Sequence, residues 1–163
     1  MIRVCFVCLG NICRSPTAEG AMLHLLDAAG LRTRVEVDSA GTAAYHVGSR
    51  PDARAIAAAR RRGIELPGRA RQFQAKDFER FDYVLAMDQD NRNNLLRLVT
   101  RAHRDRIYLF RQFDPVSPPD AEVPDPYYGD DSGFDEVLDL CLASAQGLIE
   151  HLVKTHGLAR QSV

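Results

Sequence analysis

The sequence predicts a single α/β domain in which a parallel β-sheet is covered by helices on both faces. Short apolar runs alternate along the chain with longer segments whose apolar residues recur at helical spacing, and this alternation is typical of parallel sheets. The length of 163 residues is that of one domain with one sizeable core. Open sheets of this kind bind ligands at the carboxyl ends of the strands, where the strand order reverses.

Four strands are predicted, because each of four apolar runs is too short to be a helix. They comprise residues 3–7, 34–37, 83–86 and 107–110. A first helix is predicted over residues 16–29. Ser15 suits its N-cap, Pro16 its first position and Gly30 its end.

Three further helices are predicted after the second strand. One spans residues 51–62 and stops at Gly63, and the next follows Asp88, which serves as its N-cap. The last runs from residue 132 to residue 156, with Ser132 and Asp135 as a capping box. Cys141 lies in the apolar stripe of this helix and is therefore predicted to be a core residue.

Composition argues against several classes of protein. The net charge is −1 and 26% of the residues are charged, a balance that favours neither a nucleic-acid nor a membrane partner. The chain has no apolar run long enough to span a bilayer, and because its first residues lack the charged start, apolar stretch and cleavage site of a signal peptide, we expect none. The four cysteines do not form the pattern of a disulfide framework. We therefore expect a reduced, cytoplasmic protein.

The most informative segment is CLGNICRS, residues 8–15, which joins the first strand to the first helix. In a strand–loop–helix turn, several backbone N–H groups and the positive end of the helix dipole face one point. A thiol at that point, Cys8, is driven toward the thiolate, and the planar fork of Arg14 suits a phosphate. Gly10 and Asn11 tolerate the left-handed angles that such a loop requires. The segment predicts a nucleophile inside an oxyanion-binding loop.

A second segment of interest lies within the long, proline-rich and aperiodic stretch at residues 111–131. Its sequence PDPYY, residues 124–128, places Asp125 between two prolines that fix the backbone. Tyr127 and Tyr128 follow directly, and their aromatic rings could pack against a flat substrate beside the acid. Spacing alone does not choose Asp125 over Asp120 or Asp130.

Together, CLGNICRS at 8–15, DSAGT at 38–42 and DPYY at 125–128 resemble the low-molecular-weight protein tyrosine phosphatases. Further matches lie in family order at residues 45–48, 51–54, 69–72 and 86–88. The resemblance implies a doubly wound, flavodoxin-like domain with four parallel strands over residues 1–157, followed by a tail at 158–163. It also implies a phosphatase that acts on phosphotyrosine in proteins, binds a phosphate oxyanion in its active site and needs no metal or other cofactor. We expect the protein to be a monomer.

The resemblance assigns a role to individual residues. Cys8 corresponds to the nucleophile, Arg14 to the phosphate clamp and Asp125 to the general acid and base. The phosphate-binding loop then comprises Leu9, Gly10, Asn11, Ile12, Cys13 and Ser15. Ser15 is expected to hydrogen-bond the Cys8 sulfur, and Ser39 to support the loop through Asn11. The substrate slot is expected to comprise Tyr45, His46, Tyr127 and Tyr128, with Leu9 at its floor.

Three other functions are compatible with a loop like that of Cys8. An arsenate reductase relays electrons through two further cysteines on a flexible downstream segment, whereas only Cys141 lies downstream here. Relatives that act as protein arginine phosphatases tend to carry threonine at the position of Ile12. A non-enzymatic phosphate-binding module would not need Asp125 between prolines. The resemblance also implies that Cys8 and Cys13 can form a reversible disulfide, which would make the enzyme redox-sensitive.

Overall fold

The computed structural model describes residues 1–159, so residues 160–163 of the predicted tail lie outside the described residues. Four strands form one sheet: β1 (Ile2–Cys8), β2 (Val35–Gly41), β3 (Tyr83–Ala86) and β4 (Ile107–Leu109). All neighbours are parallel, and the order is β2-β1-β3-β4. The predicted fold class is confirmed.

Helices cover both faces of this sheet. They are α1 (Arg14–Ala28), α2 (Ala53–Arg60), α3 (Asp77–Arg80), α4 (Gln89–Leu98) and α5 (Ser132–His156). Short 3₁₀ helices span Arg101–Arg106 and Phe110–Phe113. Alternate residues of β1 point to opposite faces of the sheet and enter two separate cores. Val4 and Phe6 belong to the core under α1, α2 and α5. Cys5 and Val7 belong to the core under α3 and α4. Because β1 is buried on both faces, it reads in the sequence as a continuous apolar run.

The strand predictions differ from the structure mainly in β2. This strand continues to Gly41, four residues beyond the predicted end, and pairs with β1 along its whole length. Its polar residues Asp38 and Ser39 interrupt the apolar pattern, and therefore hid the second half of the strand. The short α3 and the two 3₁₀ helices were not predicted, because elements of four to six residues have no measurable period.

Of the three predicted N-terminal caps, two are wrong and one is right. Ser15 lies inside α1, which begins at Arg14, and its hydroxyl contacts the Cys8 sulfur instead. The capping box of α5 is absent, because Asp130 accepts a hydrogen bond from the Ser132 amide just ahead of the helix. Asp88 does cap α4, and its carboxylate accepts from the Asn91 amide at 2.8 Å.

Glycines with a left-handed φ follow the predicted ends of two helices, Gly30 after α1 and Gly63 after α2. Cys141 is fully buried in the core, as predicted. Within residues 1–159, no helix has the length and apolar character needed to cross a bilayer.

Candidate active site

The strand order reverses at β1, which lies between β2 and β3, and the loop that leaves β1 carries CLGNICRS. Backbone hydrogen bonds hold this loop against the chain that follows β2, from Thr42 to Cys8 at 2.9 Å and from Ala43 to Leu9 at 3.0 Å. Asn11 has a left-handed φ of 58°. Gly10 does not, so that expectation is wrong. A side chain at Gly10 would instead meet His46, with the two carbons 3.0 Å apart.

The Cys8 side chain lies inside the curl of the loop. Its Sγ is 3.0 Å from the Ser15 Oγ and accepts a hydrogen bond from the backbone N–H of Asn11 at 3.3 Å. Helix α1 begins at Arg14, so its amino-terminal end adjoins the same loop. The sulfur is therefore held between a hydroxyl group and a backbone amide of the same loop.

A hydrogen-bonded chain beneath the loop fixes its shape. The side-chain amide of Asn11 donates through its Nδ2 to the Ser15 Oγ at 2.8 Å and to the Ser39 Oγ at 3.0 Å. The Ser39 hydroxyl donates in turn to the Glu19 carboxyl at 2.7 Å. The predicted contacts of Ser15 and Ser39 are therefore present, whereas Glu19 was missed. A signal did exist: Glu19 stands four residues after Ser15, and so on the same face of α1.

Arg14 is 3% exposed and its guanidinium has three partners. One terminal nitrogen donates to the Asp88 carboxylate at 2.5 Å and to the Val123 carbonyl at 3.2 Å, and the other is 3.7 Å from the Asp125 carboxylate. Burial alone would lower the pKa of Arg14, but Cys8, Asp88 and Asp125 outweigh it and raise the pKa. Arg14 is therefore a permanent cation. Asp88 was predicted only as a helix cap, and its second function was missed.

One cavity of about 330 Å³ lies above the loop. Asp125 lines it, whereas Asp120 and Asp130 do not, and the structure thus settles which acid faces the loop. The Tyr127 amide donates to the Asp125 carboxylate at 3.1 Å. The lining brings together most of the predicted site: Cys8, Leu9, Gly10, Ile12, Cys13, Arg14, Tyr45, His46, Asp125, Tyr127 and Tyr128. The remaining predicted residues, Asn11, Ser15 and Ser39, lie in the network underneath.

The other three cysteines differ from Cys8 in their surroundings. Burial, followed by the charge of Asp52, raises the pKa of Cys13 to about 12. Burial also raises the pKa values of Cys5 and Cys141. All three are therefore neutral thiols at physiological pH. Within residues 1–159, no three histidine, cysteine or acidic side chains are grouped as a metal site would require.

Glu19 makes the stability of the fold depend on pH. Burial raises its pKa to about 7 from the usual 4.5, against the opposing hydrogen bond from Ser39. The fold therefore favours the protonated carboxyl, and its free energy of unfolding should fall by about 3 kcal/mol as the pH rises through this interval and level off above it.

We expect Glu19→Gln to remove this pH dependence, because the amide keeps the shape of the side chain without titrating. Denaturant unfolding of both proteins at pH 4.5, 6 and 8 measures the difference. The stability of the variant relative to wild type should rise by about 3 kcal/mol across that range. Parallel curves for the two proteins would refute the assignment.

A thiol and a buried guanidinium on one strand–loop–helix turn, which share a cavity with a carboxylate from a second loop, define a cysteine-centred phosphoryl-transfer enzyme on a parallel sheet. The family model for the low molecular weight phosphotyrosine protein phosphatases matches residues 3–158. A low molecular weight protein-tyrosine-phosphatase from Streptomyces coelicolor is 45% identical over 149 residues, which cover 90% of this chain and 91% of that protein. The chain belongs to the low molecular weight phosphotyrosine protein phosphatase family.

Solved structures agree with this assignment. A protein tyrosine phosphatase from Entamoeba histolytica, crystallised with Hepes in its active site, superposes with a TM-score of 0.91 at 36% identity, over 97% of this chain and all of that one. The arginine phosphatase YwlE of Bacillus subtilis superposes with a TM-score of 0.86 at 25% identity, over 97% of this chain and all of that one. The fold is therefore shared between enzymes that act on different phosphorylated residues.

Proposed function

We propose that the chain hydrolyses phosphotyrosine in proteins, together with small aryl phosphates, through a phosphocysteine formed on Cys8. By family it is a protein-tyrosine phosphatase. The observation that carries the proposal is that Cys8, Arg14 and Asp125 line one cavity.

The first step transfers the phosphoryl group to sulfur. The loop amides and Arg14 hold the equatorial oxygens of the phosphate, and the Cys8 thiolate attacks phosphorus in line with the phenolic oxygen. As the P–O bond breaks, the protonated Asp125 gives its proton to the leaving oxygen. The charge of Arg14 opposes the negative charge that spreads over the phosphoryl oxygens.

The second step releases phosphate. Asp125, now ionised, takes a proton from a water molecule whose oxygen attacks phosphorus while the P–S bond breaks. The leaving sulfur becomes a thiolate again. Ser15, 3.0 Å from that sulfur, stabilises the charge that it acquires. Enzyme and acid thus return to their starting charges.

The walls of the cavity suit an aromatic phosphate ester. Tyr45 and Tyr127 provide aromatic faces and Leu9 an apolar floor, with His46 beside them. The Tyr45 side chain is 77% exposed, so a ring that entered the slot would cover it. Tyr128 is 91% exposed and stands at the rim, where the rest of a protein substrate would pass.

A comparison of three substrates tests the proposal. Purified protein should hydrolyse a phosphotyrosine peptide with a kcat/KM about 10-fold or more above that for the matching phosphoarginine peptide, because the slot is built for a ring. It should not reduce arsenate in the presence of thioredoxin. The arginine phosphatase is the second candidate, favoured by the likeness to YwlE, and a preference for phosphoarginine would establish it instead.

The acid role of Asp125 predicts an effect that depends on the leaving group. Asp125→Asn should lower kcat/KM for phenyl phosphate by about 100-fold, whereas 2,4-dinitrophenyl phosphate, whose phenolate leaves without a proton, should lose little. Asp120→Asn, in the same loop but outside the cavity, is the matched control. Equal losses on both substrates would argue against proton donation by Asp125.

We further propose that residues 1–157 act as one monomeric phosphatase domain in the cytoplasm. The described helices and strands end at His156, which supports this boundary. A catalytic thiolate needs a reducing compartment to persist, which supports the location.

A further inference from the structure

The segment at the start of α2 connects the two loops of the site. At one end, the Asp52 amide donates to the Ile12 carbonyl of the phosphate-binding loop at 2.8 Å. At the other, the Arg54 guanidinium donates to the Tyr127 carbonyl of the acid-bearing loop at 3.1 Å. Two residues therefore join the loop of the nucleophile to the loop of the acid.

The orientation of the Arg54 guanidinium is fixed from several sides. Asp52 accepts two parallel hydrogen bonds from it, one from Nε at 3.1 Å and one from Nη2 at 3.0 Å. The Arg54 Cζ lies 4.6 Å from the ring centroid of Phe134 in α5 and 5.5 Å from that of Tyr127. A planar fork held by a carboxylate and placed on two rings has little freedom left.

Tyr127 passes this constraint to the acid. Its carbonyl accepts from Arg54, and its own amide donates to the Asp125 carboxylate at 3.1 Å. We propose that Arg54 is a positioning residue for the general acid, holding Tyr127 so that the Asp125 carboxyl faces the leaving oxygen. This inference rests on the acid role proposed for Asp125.

The expected consequence is selective. Without Arg54, Asp125 keeps its chemistry but spends less time within reach of the oxygen, and small misplacements of a catalytic group are costly. The loss should therefore grow with the basicity of the leaving phenolate. A mere loss of stability would lower the rate for every substrate alike.

The test compares Arg54→Ala and Arg54→Lys with a matched control across a series of aryl phosphates. Both variants should lose about 10-fold in kcat/KM for phenyl phosphate and little for 2,4-dinitrophenyl phosphate. Lysine keeps the positive charge without the fork, so it should not rescue the rate. The control is Arg61→Ala, at the residue that follows α2. It removes an ion pair to Asp135 in α5 at 3.1 Å, away from the acid loop.

A double-mutant cycle separates positioning from a structural effect. In an Asp125→Asn background, Arg54→Ala should cost almost nothing further on phenyl phosphate, since there is no acid left to position. If the losses of kcat/KM caused by Arg54→Ala and Asp125→Asn instead multiply in the double variant, the inference is wrong. It is also wrong if Arg54→Lys keeps the wild-type rate, or if Arg61→Ala loses as much as Arg54→Ala. If Asp125→Asn itself shows no dependence on the leaving group, the acid assignment fails instead, so the two failures are distinguishable.

Discussion

Cys8→Ser is expected to abolish turnover, with a loss of at least about 10⁴-fold in kcat for p-nitrophenyl phosphate. A serine hydroxyl is a weak nucleophile unless a general base activates it, and within residues 1–159 the hydrogen-bond partners of the Cys8 Sγ are the Ser15 hydroxyl and the Asn11 backbone amide, neither of which is a base. Phosphate or vanadate should still bind, because the loop amides and Arg14 are unchanged. Steady-state assays and calorimetric titration with phosphate measure the two properties.

Cys141→Ala is the control for this experiment, since it alters a buried cysteine of α5 that does not line the cavity. It should keep its activity, with at most a modest loss of stability. Retained turnover in Cys8→Ser would reject the nucleophile. Loss of both turnover and phosphate binding would show instead that the substitution collapses the loop.

The location of the site could be predicted because local sequence determines it. An apolar run, a loop with a thiol and an arginine, and a helix start specify a strand–loop–helix turn, and the reversal of strand order at β1 places that turn in a ligand-binding crevice. The fold class could be predicted from the alternation of short apolar runs with segments of helical periodicity. Where polar residues lined a buried strand, as at Asp38 and Ser39, the periodicity failed and β2 was predicted too short.

Contacts between distant segments could not be predicted, because no period or spacing encodes them. Asp88 lies 74 residues from Arg14 and Asp125 lies 111 residues from it, yet both carboxylates contact its guanidinium. For Glu19 the spacing from Ser15 gave the helix face but not the partner: a lone carboxyl on a helix is ordinarily solvated, and the contact with Ser39 depends on the fold. The choice of Asp125 among three loop acids likewise needed either coordinates or the family resemblance.

These long-range contacts fix the orientation of the Arg14 guanidinium. Asp88 and the Val123 carbonyl occupy one terminal nitrogen of its guanidinium and thereby set the plane of the fork. The other terminal nitrogen extends toward the cavity, near Asp125. Two roles are thus divided between the two ends of one side chain, and only a planar, delocalised cation can fill both.

Arg14→Lys is therefore expected to lower kcat/KM for p-nitrophenyl phosphate by about 10³-fold, although the charge is conserved. A single ammonium can pair with Asp88 or face the phosphate, but it cannot hold both positions with the geometry of the fork. The inhibition constant of phosphate should rise as well, because the loss affects the bound dianion and the transition state together. Steady-state kinetics with phosphate as a competitive inhibitor measures both.

Arg97→Lys is the matched control, because Arg97 lies on α4, close to Asp88 in the chain, and hydrogen-bonds Asn94 rather than Arg14 or Asp88. Its kinetics should be close to those of wild type. If Arg14→Lys lost less than about 10-fold, charge alone would account for the clamp and the fork geometry would be irrelevant. A loss confined to thermal stability would show that Arg14 serves the fold, since the contacts to Asp88 and Val123 would then be its only contribution.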